Sequence, residues 1–238
     1  MSNKKSSKYK NFVTIILLCA EKKPSKKPPS YLVKVGRDTL LDKQIKAIHS
    51  KFENYELIVS TGSSIEDVYS HIRSKHPNKP VRVIENTRHD QTNSCEVARL
   101  CLNNTMNDNI LFIDGGILFE NKALDGLDFS NSFAMLNEKT EETLEIGVNT
   151  DNHRITFFCY GASKPWCEIL FIKGRSIVDD LRFILREKCS KKMFFFEAIN
   201  ELIVKHPILE KRNKKKLIKI SSVKTLQNAR SKNEVYSR

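Results

Sequence analysis

The sequence predicts an α/β fold: a three-layer α/β/α domain with a mostly parallel central sheet and a small antiparallel appendage. Three observations support this prediction. Apolar segments of strand length alternate with amphipathic helical segments through the first half of the chain. Residues 12–19 form an unbroken apolar run, which is typical of a parallel strand covered on both faces. The second half changes to short strands separated by turn residues.

The first half of the chain supplies the parallel part of the predicted sheet. Its elements are, in order, a strand over residues 12–19, a helix over 40–51, a strand over 56–60, a helix over 65–75, a strand over 81–85, a helix that Asn93 or Ser94 opens, and a strand over 109–113. Residues 61–64 are expected to cap the second helix, and Glu66 and Asp67 lie at the positive end of its dipole. Because strands and helices alternate, right-handed crossovers and a parallel sheet are expected.

The second half supplies the antiparallel part and the last helices. Its predicted elements are strands over residues 133–136, 145–150, 155–160, 169–173 and 217–220, helices over 176–188 and 193–205, and a final helix from about Val223. Residues 151–153 stand where a hairpin turn is expected. The predicted organisation is a disordered basic tail over residues 1–11, one domain over 12–232, and a short tail over 233–238.

The chain is strongly basic, with a net charge of +13 over 238 residues. Two interpretations stay open: a solvated lysine-rich surface, or a polyanionic partner such as nucleic acid or an acidic protein face. No apolar run approaches the roughly 18 residues that span a bilayer, so no membrane partner is expected. We expect a location in the cytoplasm or in a particle assembled inside the cell.

The N-terminal segment also imitates a signal peptide or a lipoprotein anchor at Cys19, because a basic stretch precedes apolar residues. Leu18 is bulky where a small residue is expected before such an anchor, and a buried first strand is the favoured interpretation. The six cysteines contain no CxxC pair and indicate a reducing compartment without a metal site. They are Cys19, Cys95, Cys101, Cys159, Cys167 and Cys189.

Three segments carry a resemblance to one enzyme family. They are residues 12–41, FVTIILLCAEKKPSKKPPSYLVKVGRDTLL; residues 109–119, NILFIDGGILF; and residues 215–230, KKLIKISSVKTLQNAR. In order and spacing they resemble the sugar-1-phosphate and phosphocholine nucleotidyltransferases. The resemblance implies a GT-A-like, nucleotide-diphospho-sugar transferase-like fold. It also implies an activity that joins a nucleotide to a phosphorylated acceptor and releases pyrophosphate, with magnesium as the cofactor.

The phosphate-binding loop departs from this family. In the family, strand one leads into a glycine-rich loop whose backbone amides wrap the triphosphate. Residues 20–29 contain no glycine and three prolines, which lack amide donors. The remaining candidates for phosphate binding are four lysines, and Ser30 stands where the family has its reactive-site lysine. The lysines are Lys22, Lys23, Lys26 and Lys27.

The metal-binding positions depart as well. The family ends strand four with an aspartate that holds magnesium, and Gly116 aligns with that position. Asp114, two residues earlier, is the remaining weak candidate for a catalytic or metal-binding carboxylate. A late Asp-Ile-Asp segment of the family is replaced by residues 219–221, Lys-Ile-Ser. A bound metal contributes several kcal/mol to phosphoryl chemistry, so its loss slows the reaction by roughly a thousandfold or more.

Some positions of the family's binding pocket persist. Asn86, Asn93 and Ser94 match the stretch that shapes the nucleotide pocket, although they equally suit a strand end and a helix cap. On the acceptor side, the candidates are Trp166, Glu168 and Glu197. Trp166 is the only tryptophan, and with Glu168 beside it the pair suits a cationic or sugar ligand, although core packing explains Trp166 equally simply.

Three functional hypotheses follow. The leading one is a catalytically inactive nucleotidyltransferase-like protein without a cofactor, reused as a binding or assembly component, for instance in a virion, with protein partners. The second is a divergent, active nucleotidyltransferase that uses Asp114 for magnesium and the lysine loop for phosphates. The third is a basic nucleic-acid-binding module. The sequence lacks one feature of such modules, because no aromatic residues that could stack on bases alternate with the lysines.

Overall fold

A computed structural model describes residues 11–19, 29–62, 65–119, 123–125, 127–138, 144–188, 192–215, 217–221, 224–227 and 229. The predicted N-terminal tail except Asn11, the lysine loop with Lys22, Lys23, Lys26 and Lys27, and the whole predicted C-terminal tail lie outside these residues. The expectations for them remain predictions. Among the helices of the described residues, none is long and apolar enough to cross a membrane.

Strands and helices alternate through the first half of the chain as predicted. The strands are β1 (Val13–Leu18), β2 (Lys34–Val35), β3 (Asp38–Thr39), β4 (Tyr55–Thr61), β5 (Val81–Glu85), β6 (Asn109–Asp114), β7 (Ile117–Phe119), β8 (Phe133–Asn137), β9 (Ile146–Asp151), β10 (Arg154–Tyr160), β11 (Lys164–Lys173), β12 (Leu209–Asn213) and β13 (Leu217–Lys219). The helices are α1 (Leu40–Lys51), α2 (Ile65–Lys75), α3 (Ser94–Leu102), α4 (Arg175–Phe183), which continues into a π-helical turn (Ile184–Lys188), and α5 (Phe195–Leu202).

Nine of these strands form one mixed sheet in the order β5-β4-β1-β6-β11-β8-β12-β10-β9. Strands β5, β4, β1 and β6 are mutually parallel, which confirms the predicted parallel part. Strand β11 then pairs antiparallel with both β6 and β8, and the β9–β10 hairpin extends the sheet further. The strands predicted over residues 133–136, 145–150, 155–160 and 169–173 therefore continue the same sheet. The strand predicted over residues 217–220 forms β13 instead, which pairs with β7 in a separate two-stranded sheet.

The hydrophobic core lies on both faces of this sheet, which makes the fold three-layered. Alternate residues of β1 point to opposite faces, so Ile16 packs with α3, α4 and α5, whereas Ile15 packs with α1 and α2. Both side chains are fully buried. This arrangement explains why β1 is apolar except for Thr14 instead of alternating with polar residues.

The turn between β9 and β10 confirms the predicted hairpin. Asn152 and His153 both adopt positive φ angles, of 44° and 64°, as a two-residue turn between twisted strands requires. Strand β12, in contrast, was not predicted, because its sequence LEKRN is polar. It nevertheless lies inside the sheet, where it pairs parallel with β8.

A buried polar cluster joins the start of α1 to the end of α2. Thr39 and Asp42 form a reciprocal capping box at the N-terminus of α1. The same Asp42 carboxylate accepts hydrogen bonds from His71 Nε2, at 2.9 Å, and His76 Nε2, at 2.6 Å. Burial alone would raise the pKa of Asp42, but the hydrogen bonds from His76, Thr39 and His71 outweigh burial and hold this pKa well below its usual range.

Candidate functional site

A cavity of about 610 Å³ opens at the carboxyl ends of the parallel strands β1 and β6. Ligands bind at this edge of open α/β sheets, where the loops after the strands converge. The end of β13 and the segment that starts α5 complete its walls. Both polar and aromatic side chains line it.

The tight turn after β6 forms the floor of the polar part. Position 115 requires glycine, because a Cβ atom there would lie 2.4 Å from the Sγ atom of Cys19, which follows β1. Asp114 lies at the end of β6 and uses Oδ1 to accept a hydrogen bond of 2.7 Å from the Gly116 N–H. One of the two Asp114 carboxylate oxygens is thus committed to its own turn.

Gln44 of α1 holds this turn in place through hydrogen bonds. Its Nε2 atom, which is buried, donates hydrogen bonds to the carbonyl oxygens of Asp114, at 3.1 Å, and Ile117, at 2.9 Å, with a longer contact to Gly115. The single side chain therefore satisfies carbonyl groups that a tight turn would otherwise leave buried without donors.

We predict that Gln44→Leu lowers the free energy of unfolding by about 2 kcal/mol, because buried carbonyl oxygens lose their donor. Urea denaturation followed by circular dichroism measures the effect. Gln91→Leu is the matched control, because Gln91 is exposed and its replacement should change stability by less than about 0.5 kcal/mol. Equal stability of the wild type and Gln44→Leu would contradict the role given to this side chain.

Lys219 of β13 places an ammonium group against two of the carboxyl groups that line the cavity, those of Asp114 and Glu168. Its Nζ atom forms an ion pair with Glu168 Oε1 and lies 3.9 Å from Asp114 Oδ2. Glu168 reaches this position from an irregular part of β11, where the pairing with β8 shifts register and Glu168 has a φ angle of 55°. Strained backbone of this kind in non-glycine residues is concentrated at functional sites.

The three groups alter one another's ionisation. Burial, followed by the Asp114 carboxylate, raises the pKa of Glu168 to about 8, although Lys219 opposes the rise. Burial alone would lower the pKa of Lys219, but the carboxyl groups of Asp114 and Glu168 outweigh burial and raise it. Lys219 is therefore a permanent cation at neutral pH, and it balances the charge of Asp114 while Glu168 retains its proton more readily than an exposed glutamate.

These residues do not fit a bound magnesium ion, which the resemblance to nucleotidyltransferases implies. Carboxylate oxygens are suitable ligands for magnesium. However, Lys219 occupies the position between Asp114 and Glu168, and a divalent cation there would meet an ammonium group at close range. Within the part of the chain that the structure describes, no three His, Cys, Asp or Glu side chains are grouped to hold a metal ion.

Aromatic side chains form the mouth of the cavity. Tyr160, at the end of β10, is 55% exposed and stands edge-on to Phe194 and Phe196. The rings of Phe194 and Phe196 stack with their planes 16° apart and their centroids 6.0 Å apart. Trp166 lies deeper in the wall and is almost fully buried against Phe158.

The structure brings some of the predicted site residues together at the cavity. Asp114, Asn93, Ser94, Trp166 and Glu168 all line it. Several of their polar groups bind the protein itself. The Asn93 amide donates to the carbonyl oxygen of Lys192, Ser94 Oγ accepts from the Phe195 N–H, and Trp166 Nε1 donates to the carbonyl oxygen of Ile169.

Asn86 and Glu197 have structural contacts instead. Asn86 is buried, and its side chain donates to Thr92 Oγ1 and accepts from the Arg88 N–H, so it shapes the loop after β5. Glu197 accepts the Phe194 N–H at 2.6 Å and caps α5. Neither residue is among those that line the cavity.

The sequence placed Tyr160, Phe194 and Phe196 only within segments that resemble the acceptor side of the family, without identifying them as individual site residues. It did not identify Glu145, and it recognised Lys219 only as a replacement for a carboxylate. The FFF run at residues 194–196 was a usable signal, because three consecutive aromatic residues at a helix start cannot all point into the core.

No protein-family sequence model matches the chain. A search of curated protein sequences also finds no match.

Solved structures with the same fold are numerous, and three illustrate it. A UDP-glucose pyrophosphorylase complexed with UDP-glucose superposes with a TM-score of 0.73 at 12% identity, over 95% of this chain and 99% of that one. The inositol-1-phosphate CTP transferase from T. maritima gives a TM-score of 0.72 at 11% identity, covering 93% and 96%. The CTP:phosphocholine cytidylyltransferase from Streptococcus pneumoniae gives 0.70 at 12% identity, covering 93% and 98%. The chain has the nucleotidyltransferase-like fold that its sequence segments predicted.

Proposed function

We propose that this protein is a catalytically inactive member of the nucleotidyltransferase fold that works as a binding component, through its cavity and in an assembly with protein partners. The observation that carries the proposal is the Lys219 ammonium group between Asp114 and Glu168. In a nucleotidyltransferase, divalent cations compensate the charge of the reacting phosphates. Here an amino acid of the chain itself occupies the place between the carboxyl groups.

The surroundings of Lys219 support the same conclusion. Gly116 aligns with the family's metal-binding aspartate and has no side chain, and the nearby Asp114 oxygen accepts the Gly116 N–H. Lys219 is itself neutralised by the carboxyl groups that it contacts, so it is not available as a counter-charge for a triphosphate. A phosphate chain entering this part of the cavity would meet carboxyl groups without a divalent cation between them.

One observation favours a second candidate function, a divergent active nucleotidyltransferase. Asp114 and Glu168 come from different strands and still meet in one cavity, with a strained backbone at Glu168. Two carboxyl groups at a strand end are the donors that a magnesium ion needs. For this candidate to hold, Lys219 has to leave its position when a nucleotide and metal bind.

A pyrophosphate-release assay separates the two functions. The purified full-length protein is incubated with each of the four nucleoside triphosphates, magnesium or manganese, and a panel of phosphorylated sugars and phosphocholine. We predict no release above the level of heat-inactivated protein, because the cation site is filled. Release that requires metal and disappears in Asp114→Ala would support the second candidate and overturn the first.

The assembly part of the proposal has its own test. Native mass spectrometry of the protein, purified from its natural source with its partners, should show a stable complex. A protein that occurs there only as a monomer would contradict an assembly role, whatever the outcome of the enzymatic assay.

A further inference from the structure

The mouth of the cavity combines an exposed aromatic surface with carboxyl groups. Tyr160 projects from the end of β10 with more than half of its surface exposed, although tyrosine rings are usually well packed. Phe194 and Phe196 form two further sides, with ring centroids 6.5 Å and 5.5 Å from that of Tyr160. Tyr160 and Phe194 are exposed to a ligand entering the cavity, whereas Phe196 is buried beneath them.

The charge around this aromatic surface is predominantly negative. Burial raises the pKa of Tyr160, and Glu145, Glu197 and Glu168 raise it further, which places their carboxyl groups close enough to act on the phenol. Among the described residues, the positive charge that acts on Tyr160 comes from Lys219, which the carboxyl groups of Asp114 and Glu168 already compensate. Glu145 is exposed and remains available at the mouth.

This combination selects for one ligand chemistry. Aromatic faces attract cations through the negative side of the ring, and a nearby carboxylate adds a direct electrostatic attraction. An anion at the same place would face the carboxylates of Glu145 and Glu197. The cavity volume of about 610 Å³ is in the range of pockets that enclose small organic molecules.

We propose that the cavity binds a small organic ammonium cation that carries no phosphate group, with the cationic head against Tyr160, Phe194 and Glu145 and the apolar body directed toward Trp166. The proposal rests on the proposed function, because it assigns a ligand to a cavity without a divalent cation. It requires no metal, no nucleotide and no chemical step.

Three probes of nearly the same shape test the charge preference. Benzylammonium is the cation, benzyl alcohol the neutral analogue and phenyl phosphate the anion. Each is titrated into the wild-type protein by calorimetry without metal, and the fluorescence of Trp166, the only tryptophan, provides a second readout. We expect benzylammonium to bind at least about fivefold more tightly than benzyl alcohol, since a cation–π contact contributes about 1 kcal/mol, and phenyl phosphate to bind more weakly than both.

Variants locate the binding site. Tyr160→Leu keeps an apolar side chain but removes the ring, and should weaken benzylammonium binding by about two- to thirtyfold. Glu145→Gln should weaken it several-fold while leaving benzyl alcohol unaffected. Phe157→Leu is the matched control: Phe157 is also an exposed aromatic residue of β10 but is not part of the cavity wall, so its replacement should change nothing.

Each outcome decides the proposal. Equal binding of benzylammonium and benzyl alcohol, tighter binding of phenyl phosphate, or no binding of benzylammonium would overturn it. Equal loss in Tyr160→Leu and Phe157→Leu would also overturn it. These results are independent of the pyrophosphate assay: an inactive protein that ignores benzylammonium refutes only this inference, whereas an active enzyme that binds it refutes only the proposed function.

Discussion

Replacing Lys219 with methionine should create a divalent-cation site where the wild-type protein has none. Methionine retains most of the length of the lysine side chain and removes the positive charge that opposes a metal ion beside Asp114 and Glu168. At 4 Å, two unit charges repel by about 1 kcal/mol in water and about 4 kcal/mol at a protein surface. The repulsion between the Lys219 ammonium group and a divalent ion is twice as large. The Lys219→Met variant should therefore bind Mn²⁺ at least about thirtyfold more tightly than the wild type.

Electron paramagnetic resonance of Mn²⁺ measures this change directly, because free and bound ions give different signals. Lys215→Met is the matched control: it removes the same charge from an exposed lysine outside the cavity and should leave Mn²⁺ binding unchanged. Adding Asp114→Asn to Lys219→Met should abolish the new site. If Lys219→Met and Lys215→Met bind Mn²⁺ equally, Lys219 does not occupy a cation site.

Replacing Asp42 with alanine should destabilise the protein by about 3 kcal/mol, because the buried carboxylate is the shared partner of two histidines and the cap of α1. Urea denaturation at pH 7 measures the loss. The matched control is Asp38→Ala, which removes a carboxylate that pairs with Lys46 at the surface and should change stability by less than about 1 kcal/mol. Similar effects of the two substitutions would contradict the account of the cluster.

The same carboxylate predicts how stability depends on pH. Because its hydrogen bonds hold the pKa of Asp42 well below the unfolded value of about 4, the stabilisation is fully present above pH 4 and is lost as the pH falls below it. Asp42→Asn should be less stable at pH 7 and should lose less stability than the wild type between pH 4 and pH 2. Parallel curves for the two proteins over this range would contradict the assignment.

The sequence predicts the fold correctly for those strands and helices whose hydrophobic pattern fits one kind of element. Strand β1 is apolar except for Thr14, and α1 has a regular apolar face, so both were predicted with nearly correct bounds. Strand β12 was not predicted because three of its five residues, Glu210, Lys211 and Arg212, are charged, and the sequence therefore has no apolar strand pattern. Glu210 is satisfied there by Lys164 and His153, which are brought close only by the folded sheet.

The candidate site was predictable only in part. Asp114 was found because it belongs to a continuous segment that resembles the family's strand four. The contact between Lys219 and Glu168 was not predictable, because it joins residues that are 51 positions apart and depends on a left-handed backbone conformation at Glu168. The aromatic mouth likewise depends on how the end of β10 meets the start of α5.

A crystal of the wild-type protein soaked with Mn²⁺ and a nucleoside triphosphate, measured for anomalous scattering, tests the central claim most directly. We expect no anomalous peak between Asp114 and Glu168, and we expect the Lys219 ammonium group to remain in contact with both carboxyl groups. A peak at bonding distance from the Asp114 carboxylate, with Lys219 displaced, would contradict it and would identify the protein as a working nucleotidyltransferase.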